Sequence, residues 1–153
     1  MRSKKEQKKL LAVASAGGHW VQLLRLQPAF EGMKTSYIST LRFNGDELSG
    51  DLHVVRDANV SEKINAIIMS FQVLWVLLKV RPDYIISTGA LPGFAAVMFG
   101  RIFRIKTIWI DSIANAEKLS LSGRWAKHFA TVWLTQWPNL SHDDGPLFWG
   151  SVL

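Results

Sequence analysis

Short apolar runs alternate with longer helix-like stretches along the whole chain, and that alternation constrains the fold more than any single motif. Strand-length runs fall at Leu10–Ser15, Thr35–Thr40, His53–Arg56, Tyr84–Thr88, Thr107–Asp111 and Thr131–Gln136. Helical patterns lie between them over Trp20–Phe30, Ser61–Lys79, Phe94–Phe103 and Gly123–Ala130. Interleaved strands and helices imply crossover units and a parallel sheet covered on both faces. The runs Leu-Leu-Ala-Val-Ala and Thr-Ile-Trp-Ile are continuously apolar instead of alternating, as strands buried on both sides require. The expected fold is α/β, a doubly wound parallel sheet.

A chain of 153 residues with 48% hydrophobic content can bury one substantial core but not two full-sized domains. The expected organisation is a basic tail over residues 1–9 and a single domain over 10–153. Without cysteine, disulfides, thiolate metal sites and cysteine nucleophiles are all excluded, which points to a reducing compartment. The net charge of +6 favours an anionic partner: nucleic acid, an acidic bilayer or a phosphorylated substrate. Five of the positive charges stand in Met1–Lys9 against one negative. The apolar run that follows is too short for a signal peptide, leaving a solvated terminus or a polybasic contact with anionic lipid. Leu41–Leu52, with two glycines and three acids, reads as a surface loop.

Residues 64–78 carry no charge and are flanked by Lys63 and Lys79. A spanning helix needs about 20 apolar residues, so this stretch fits a sheet-covering helix, with or without its outer face against a membrane, better than a span. Trp75 on that helix, with Arg101 and Arg104 after the next one, are the candidate membrane contacts; solvated faces are the alternative.

Two strand-to-helix handovers contain glycine: Ser15-Ala16-Gly17-Gly18-His19 and Ser87-Thr88-Gly89-Ala90-Leu91-Pro92-Gly93. Ligands of a parallel sheet bind beyond the carboxyl ends of its strands. Glycine there allows positive φ and close approach to backbone amides, while the following helix start favours an anion. Each turn is therefore a candidate phosphate cradle, or simply a tight turn. A dinucleotide fingerprint is missing: Gly17-Gly18 lacks the G-x-G-x-x-G spacing, and Ile38-Ser39-Thr40 provides no ribose-binding acid. No Gly-Lys-Ser/Thr loop occurs either, and neither a cofactor nor a metal is expected. His142-Asp143-Asp144 has no spaced partner ligand and reads as loop, and Ser120 reads as a helix cap. His19, at the helix start beside the glycines, has the titration range to accept a proton from a hydroxyl or bond a phosphate oxygen.

The Ser-Ala-Gly-Gly-His19 turn, Ser87-Thr88-Gly89, the run Asp111–Arg124 and Gln136-Trp137-Pro138 together resemble the PssD/Alg type of glycosyltransferase subunit. The resemblance extends over roughly Leu10 to Leu153. It implies a Rossmann-like domain, the amino-terminal half of a GT-B glycosyltransferase, made as a separate polypeptide. It further implies a UDP-sugar-binding partner chain and a polyprenyl-diphosphate-linked acceptor at the cytoplasmic face of a membrane. By this resemblance Ser15, Gly17, Gly18, His19, Thr88 and Gly89 contact the acceptor diphosphate, with His19 and Asp111 as candidate catalytic groups. The family more often has Glu where Asp111 stands. No amino-terminal membrane helix stands before the first strand, as one does in the eukaryotic member, so peripheral attachment is expected.

Trp133, Trp137 and Trp149 crowd the last part of the chain, and Trp137, Pro138 and Trp149 are the candidate partner interface. The expected function is that of a two-chain transferase subunit for N-acetylglucosamine or a related hexose, in polysaccharide or lipid-linked oligosaccharide synthesis. The alternatives are a non-catalytic membrane scaffold and a basic nucleic-acid-binding α/β protein; the tryptophans lie in apolar runs rather than among lysines, which disfavours the latter.

Overall fold

The computed structural model describes residues 6–42 and 48–152. The first five residues of the basic tail, the middle of the Leu41–Leu52 loop and Leu153 lie outside the described residues. Seven strands form one parallel sheet: β1 (Lys9–Val13), β2 (Lys34–Ser39), β3 (Asp51–Val54), β4 (Tyr84–Ser87), β5 (Lys106–Ile110), β6 (Val132–Thr135) and β7 (Leu147–Phe148). Their order is β3-β2-β1-β4-β5-β6-β7, and every adjacent pair is parallel. The chain winds outward from β1 in one direction, then returns to β4 and winds the other way. The switch point lies between β1 and β4, where a doubly wound sheet opens a crevice.

Strand residues feed two cores alternately. Leu11, Val13, Ile38 and Ile85 pack with Met69, Val73, Val76 and Leu77 of α2 (Lys63–Val80) and Ala95 and Ala96 of α3 (Ala90–Ile102). Leu10, Ala12 and Ala14 pack with Trp20 and Leu23 of α1 (Gly18–Arg25) on the opposite face. A third cluster joins Val97, Trp109 and Ala126, the last on α4 (Leu121–Ala126). Burial on both faces explains why the strands read as unbroken apolar runs.

Several boundaries differ from the sequence pattern for local reasons. The Trp20–Phe30 pattern divides into α1 and a 3₁₀ turn over Gln27–Phe30, because Pro28 has no N–H to continue an α-helix. The third strand runs over Asp51–Val54 and not His53–Arg56, since the Arg56 N–H leaves the ladder to donate to Gln72 Oε1 at 2.7 Å. Asn65 also faces this residue, accepting from Arg56 Nη1 at 3.0 Å. α3 starts four residues early, directly at the glycine turn, where Pro92 is tolerated in the first helical turn. α4 covers Leu121–Ala126 and is capped, as expected, by Ser120 Oγ accepting from Gly123 N–H at 2.8 Å.

Candidate functional site

The two glycine turns follow β1 and β4, the pair of hydrogen-bonded neighbours at the switch point. Gly17 and Gly89 are the N-caps of α1 and α3, at φ 82° and 129°, and neither helix start has a side-chain cap. The first intrahelical bond of α1 is Val21 N–H to Gly17 O at 3.1 Å, so the preceding amides are available at the open end. Gly17 and Gly18 are exposed, and Ser15 and His19 are half-buried. The Ala16 N–H donates to Thr40 Oγ1 at 3.0 Å, pinning the first turn to the end of β2.

The turns are stitched to one another. His19 Nδ1 donates to Thr88 O at 2.9 Å, and Thr88 Oγ1 donates to His19 O at 2.6 Å. A carbonyl can only accept, so Nδ1 carries the proton and the neutral ring keeps its lone pair on Nε2. No partner for Nε2 is present among the described residues. The ring lies directly on Gly89, where a Cβ would stand 2.5 Å from Nδ1. Gly89 is thus needed both for its backbone and for the histidine above it. Gly18 differs: a Cβ there meets nothing within 4 Å.

Below the turns lies a buried polar network that has only a weak signature in the sequence. Gln22, on α1, donates through Nε2 to Gly18 O at 3.1 Å and to Ser112 Oγ at 3.2 Å. Its Oε1 accepts from Ile113 N–H at 3.0 Å and from Gln136 Nε2 at 2.7 Å. Gln136 also donates to Asp111 O at 2.9 Å and accepts from Val152 N–H at 2.9 Å. The first glycine turn is therefore braced by the ends of β5 and β6 and by the last residues described.

Asp111 has a different place from the one expected of a catalytic base. It is 1% exposed. Its carboxylate accepts from Ser120 N–H at 2.9 Å, from Ser120 Oγ, from Asn115 Nδ2 at 3.3 Å and from Trp109 Nε1 at 3.4 Å. A Cβ at Gly123 would clash with Oδ1. Asp111 thus organises the 111–120 loop and the start of α4, and its lone pairs are already taken.

The other candidates are dispersed. Trp137 is half-buried and donates Nε1–H to Ile113 O at 2.7 Å, whereas Pro138 and Trp149 are exposed, the latter at 68%. Leu147 and Phe148 form β7 and extend the sheet beyond β6, an edge too short to read from the sequence. On α2, Ile64, Ile67, Phe71, Trp75 and Leu78 are all exposed, at helical spacing, opposite the buried Met69-Val73-Val76-Leu77 face. Both faces of this helix are apolar. Among the described residues it is the one helix long and apolar enough to cross a membrane, with mean hydropathy 1.5 and 22% of it buried. Arg101 and Arg104 are exposed around Ile102 and Phe103 at the end of α3, the helix packed beside α2. No cluster of three metal-ligating side chains occurs among the described residues.

The UDP-N-acetylglucosamine transferase subunit ALG14 of Mus musculus is 25% identical over 172 aligned residues, taking in 89% of this chain and 78% of that subunit. The chain is similar to the Alg-type glycosyltransferase subunits. No family model matches it. Among solved structures, MurG of Acinetobacter baumannii superposes with a TM-score of 0.76 at 13% identity, covering 95% of this chain and 46% of that one. The fold is thus one Rossmann-like half of the GT-B architecture, and the chain spans just under half the length of this structural neighbour. A UDP-N-acetylglucosamine 2-epimerase from Rickettsia bellii superposes at 0.67 with 14% identity, over 87% of this chain and 40% of its own. The same half-fold serves different chemistries, so the Alg-type relationship and the site, not the fold, carry the functional argument.

Proposed function

We propose that the chain is the acceptor-binding subunit of a two-chain glycosyltransferase that moves N-acetylglucosamine or a related hexose from UDP to a polyprenyl-diphosphate-linked acceptor. One observation carries the reading: two uncapped, glycine-opened helix starts lie side by side at the switch point, joined by His19 and Thr88. The acceptor diphosphate lies against these starts, where unpaired amides and the positive helix ends favour it. A partner chain with the other GT-B half holds the UDP-sugar over the same crevice, docking across the exposed Pro138 and Trp149 region. The similarity to a transferase subunit supports this division of labour.

In the transfer, the acceptor hydroxyl attacks the anomeric carbon with inversion. The new carbon–oxygen bond forms as the bond to the UDP phosphate oxygen breaks, UDP leaves on the partner's side, and the hydroxyl proton passes to His19 Nε2. The Nδ1–H bond to Thr88 O steadies the imidazolium formed. The apolar stripe of α2, with Arg101 and Arg104, rests on the cytoplasmic face of the membrane, bringing the lipid-linked acceptor to the crevice in two dimensions.

Co-purification from native membranes, followed by transfer assays on a polyprenyl-diphosphate acceptor, tests the reading. The expected result is a second chain that binds UDP-sugar, with activity only when both are present. A fully active lone chain overturns it, as does an active pair in which this chain binds no acceptor.

A further inference from the structure

Two concavities adjoin on the α2 side of the sheet, away from the glycine turns. The first is a trough of about 560 Å³ between β3 and α2, lined by Leu52, Val54, Ile68, Phe71, Trp75 and their neighbours. The second, about 550 Å³, is polar and lies at the amino-terminal ends of the strands, among Lys9, Lys34, Ser36, Asp51 and Lys79. Leu52 and His53 line both, so the trough runs into the lysine pocket. Lys9 and Lys34 are directly opposed in the β1–β2 register. Among the described residues, no carboxylate forms an ion pair with Lys9, Lys34 or Lys79; the adjacent Asp83 is taken by Lys8 Nζ at 3.2 Å and the Lys9 N–H at 2.8 Å. Three lysines against Asp51 leave the pocket positive.

A hydrocarbon trough opening into a cationic pocket matches one anionic amphiphile: a chain in the trough and a phosphate head among the lysines. Phe71 and Trp75 belong both to the trough and to the exposed stripe of α2, so the trough opens on the apolar face. The lysine pocket is at the opposite strand ends from the glycine turns, which separates its occupant from an acceptor in the crevice. We propose that this composite site takes a single anionic phospholipid from the bilayer, chain between β3 and α2, phosphate at Lys9, Lys34 and Lys79. The inference rests on the membrane-facing reading of α2 and deepens it: the apolar stripe supplies attachment, and the pocket supplies selection for anionic lipid.

Two arms test it. Sedimentation with phosphatidylcholine vesicles, with and without phosphatidylglycerol, is expected to show a preference for the anionic vesicles. Each lysine near an anionic surface contributes about 1 kcal/mol, so Lys34→Gln with Lys79→Gln should lose about tenfold or more of that preference. The double variant Lys118→Gln with Lys127→Gln, of equal charge change elsewhere, should lose less. Equal losses overturn the proposal in favour of diffuse surface charge.

The second arm uses monomeric dihexanoyl phosphatidylglycerol, followed by NMR, and needs no bilayer. Shifts are expected at His53, Ile68 and Val76, abolished by Ile68→Trp, which fills the trough from the α2 side. Vesicle binding without monomer binding overturns the pocket while leaving the membrane reading standing; monomer binding without vesicle binding does the reverse. Displacement of the monomer by geranyl phosphate in wild type but not in Gly18→Ala assigns the ligand to the acceptor and also overturns it.

Discussion

His19 and Thr88 hold each other by two hydrogen bonds running in opposite directions, ring to carbonyl at 2.9 Å and hydroxyl to carbonyl at 2.6 Å. The pair unites helix starts that are 69 residues apart in sequence. It also sets the tautomer that places the lone pair on Nε2. The imidazole is thereby fixed in both orientation and tautomer.

His19→Ala in the reconstituted pair is expected to lower kcat by about 10²–10⁴-fold, the range for loss of a positioned general base. KM for the acceptor and the denaturation midpoint should change little, because the ring is half-buried and Thr88 Oγ1 bonds the backbone of residue 19, not its side chain. Steady-state kinetics separate the roles: a loss confined to KM makes His19 a binding residue only.

The glycines should respond unequally. Gly89→Ala puts a Cβ 2.5 Å from His19 Nδ1 at a backbone φ of 129°, so the histidine must move and the turn is strained by about 1–3 kcal/mol. Its kcat should fall as in His19→Ala, with a lower melting temperature. Gly18→Ala meets open space and adopts no positive φ, so stability should hold or rise slightly. Its acceptor KM should rise, since the methyl stands where the diphosphate approaches the amides. Calorimetry and acceptor titration of both variants check the contrast.

Asp111→Ala is expected to destabilise the domain by about 2–3 kcal/mol, since the half-buried Ser120 N–H and Asn115 Nδ2 lose the buried carboxylate that accepts from them and a stranded donor costs about 1–3 kcal/mol. Asp111→Asn should also destabilise, because its amide turns a donor toward other donors. Urea denaturation reads both. An Asp111→Asn variant of wild-type stability but no activity would restore a direct chemical role for this carboxylate.

The parallel sheet was legible because its strands are buried on two faces, which leaves unbroken runs such as Leu10–Ala14 that no half-exposed strand would show. The glycine turns were legible for a related reason: a strand passing directly into a helix leaves little room for anything but small residues. What escaped was decided by side chains far apart in the chain. Gln22 reads as an ordinary polar helix residue, and only Gln136, 114 positions away, makes it a buried brace for the Gly18 carbonyl. That the acid at position 111 accepts from Ser120 and Asn115 is likewise set by the fold of the loop after it. The end of β3 depended on Gln72, an α2 side chain that takes the Arg56 N–H out of the ladder. In each case a polar side chain completes backbone hydrogen bonding across the tertiary structure, and apolar periodicity carries no trace of it.

Stability should also depend on pH through His53. Burial at the sheet edge and the nearby Lys79 ammonium hold its pKa below the ordinary histidine value of 6.5, with Asp51 opposing more weakly. The folded chain therefore resists protonation while the unfolded chain accepts it. Between the folded and unfolded values the unfolded state binds more protons, so stability rises with pH. This contribution is complete above about 6.5 and declines as pH falls through that value toward the lower folded one. Urea midpoints compared at about pH 7.5 and pH 5.5 should show the decline in wild type, and His53→Gln should flatten it without abolishing folding. Lys79→Gln removes one of the two causes and should shrink the slope. An unchanged slope in both variants would place the acid sensitivity elsewhere.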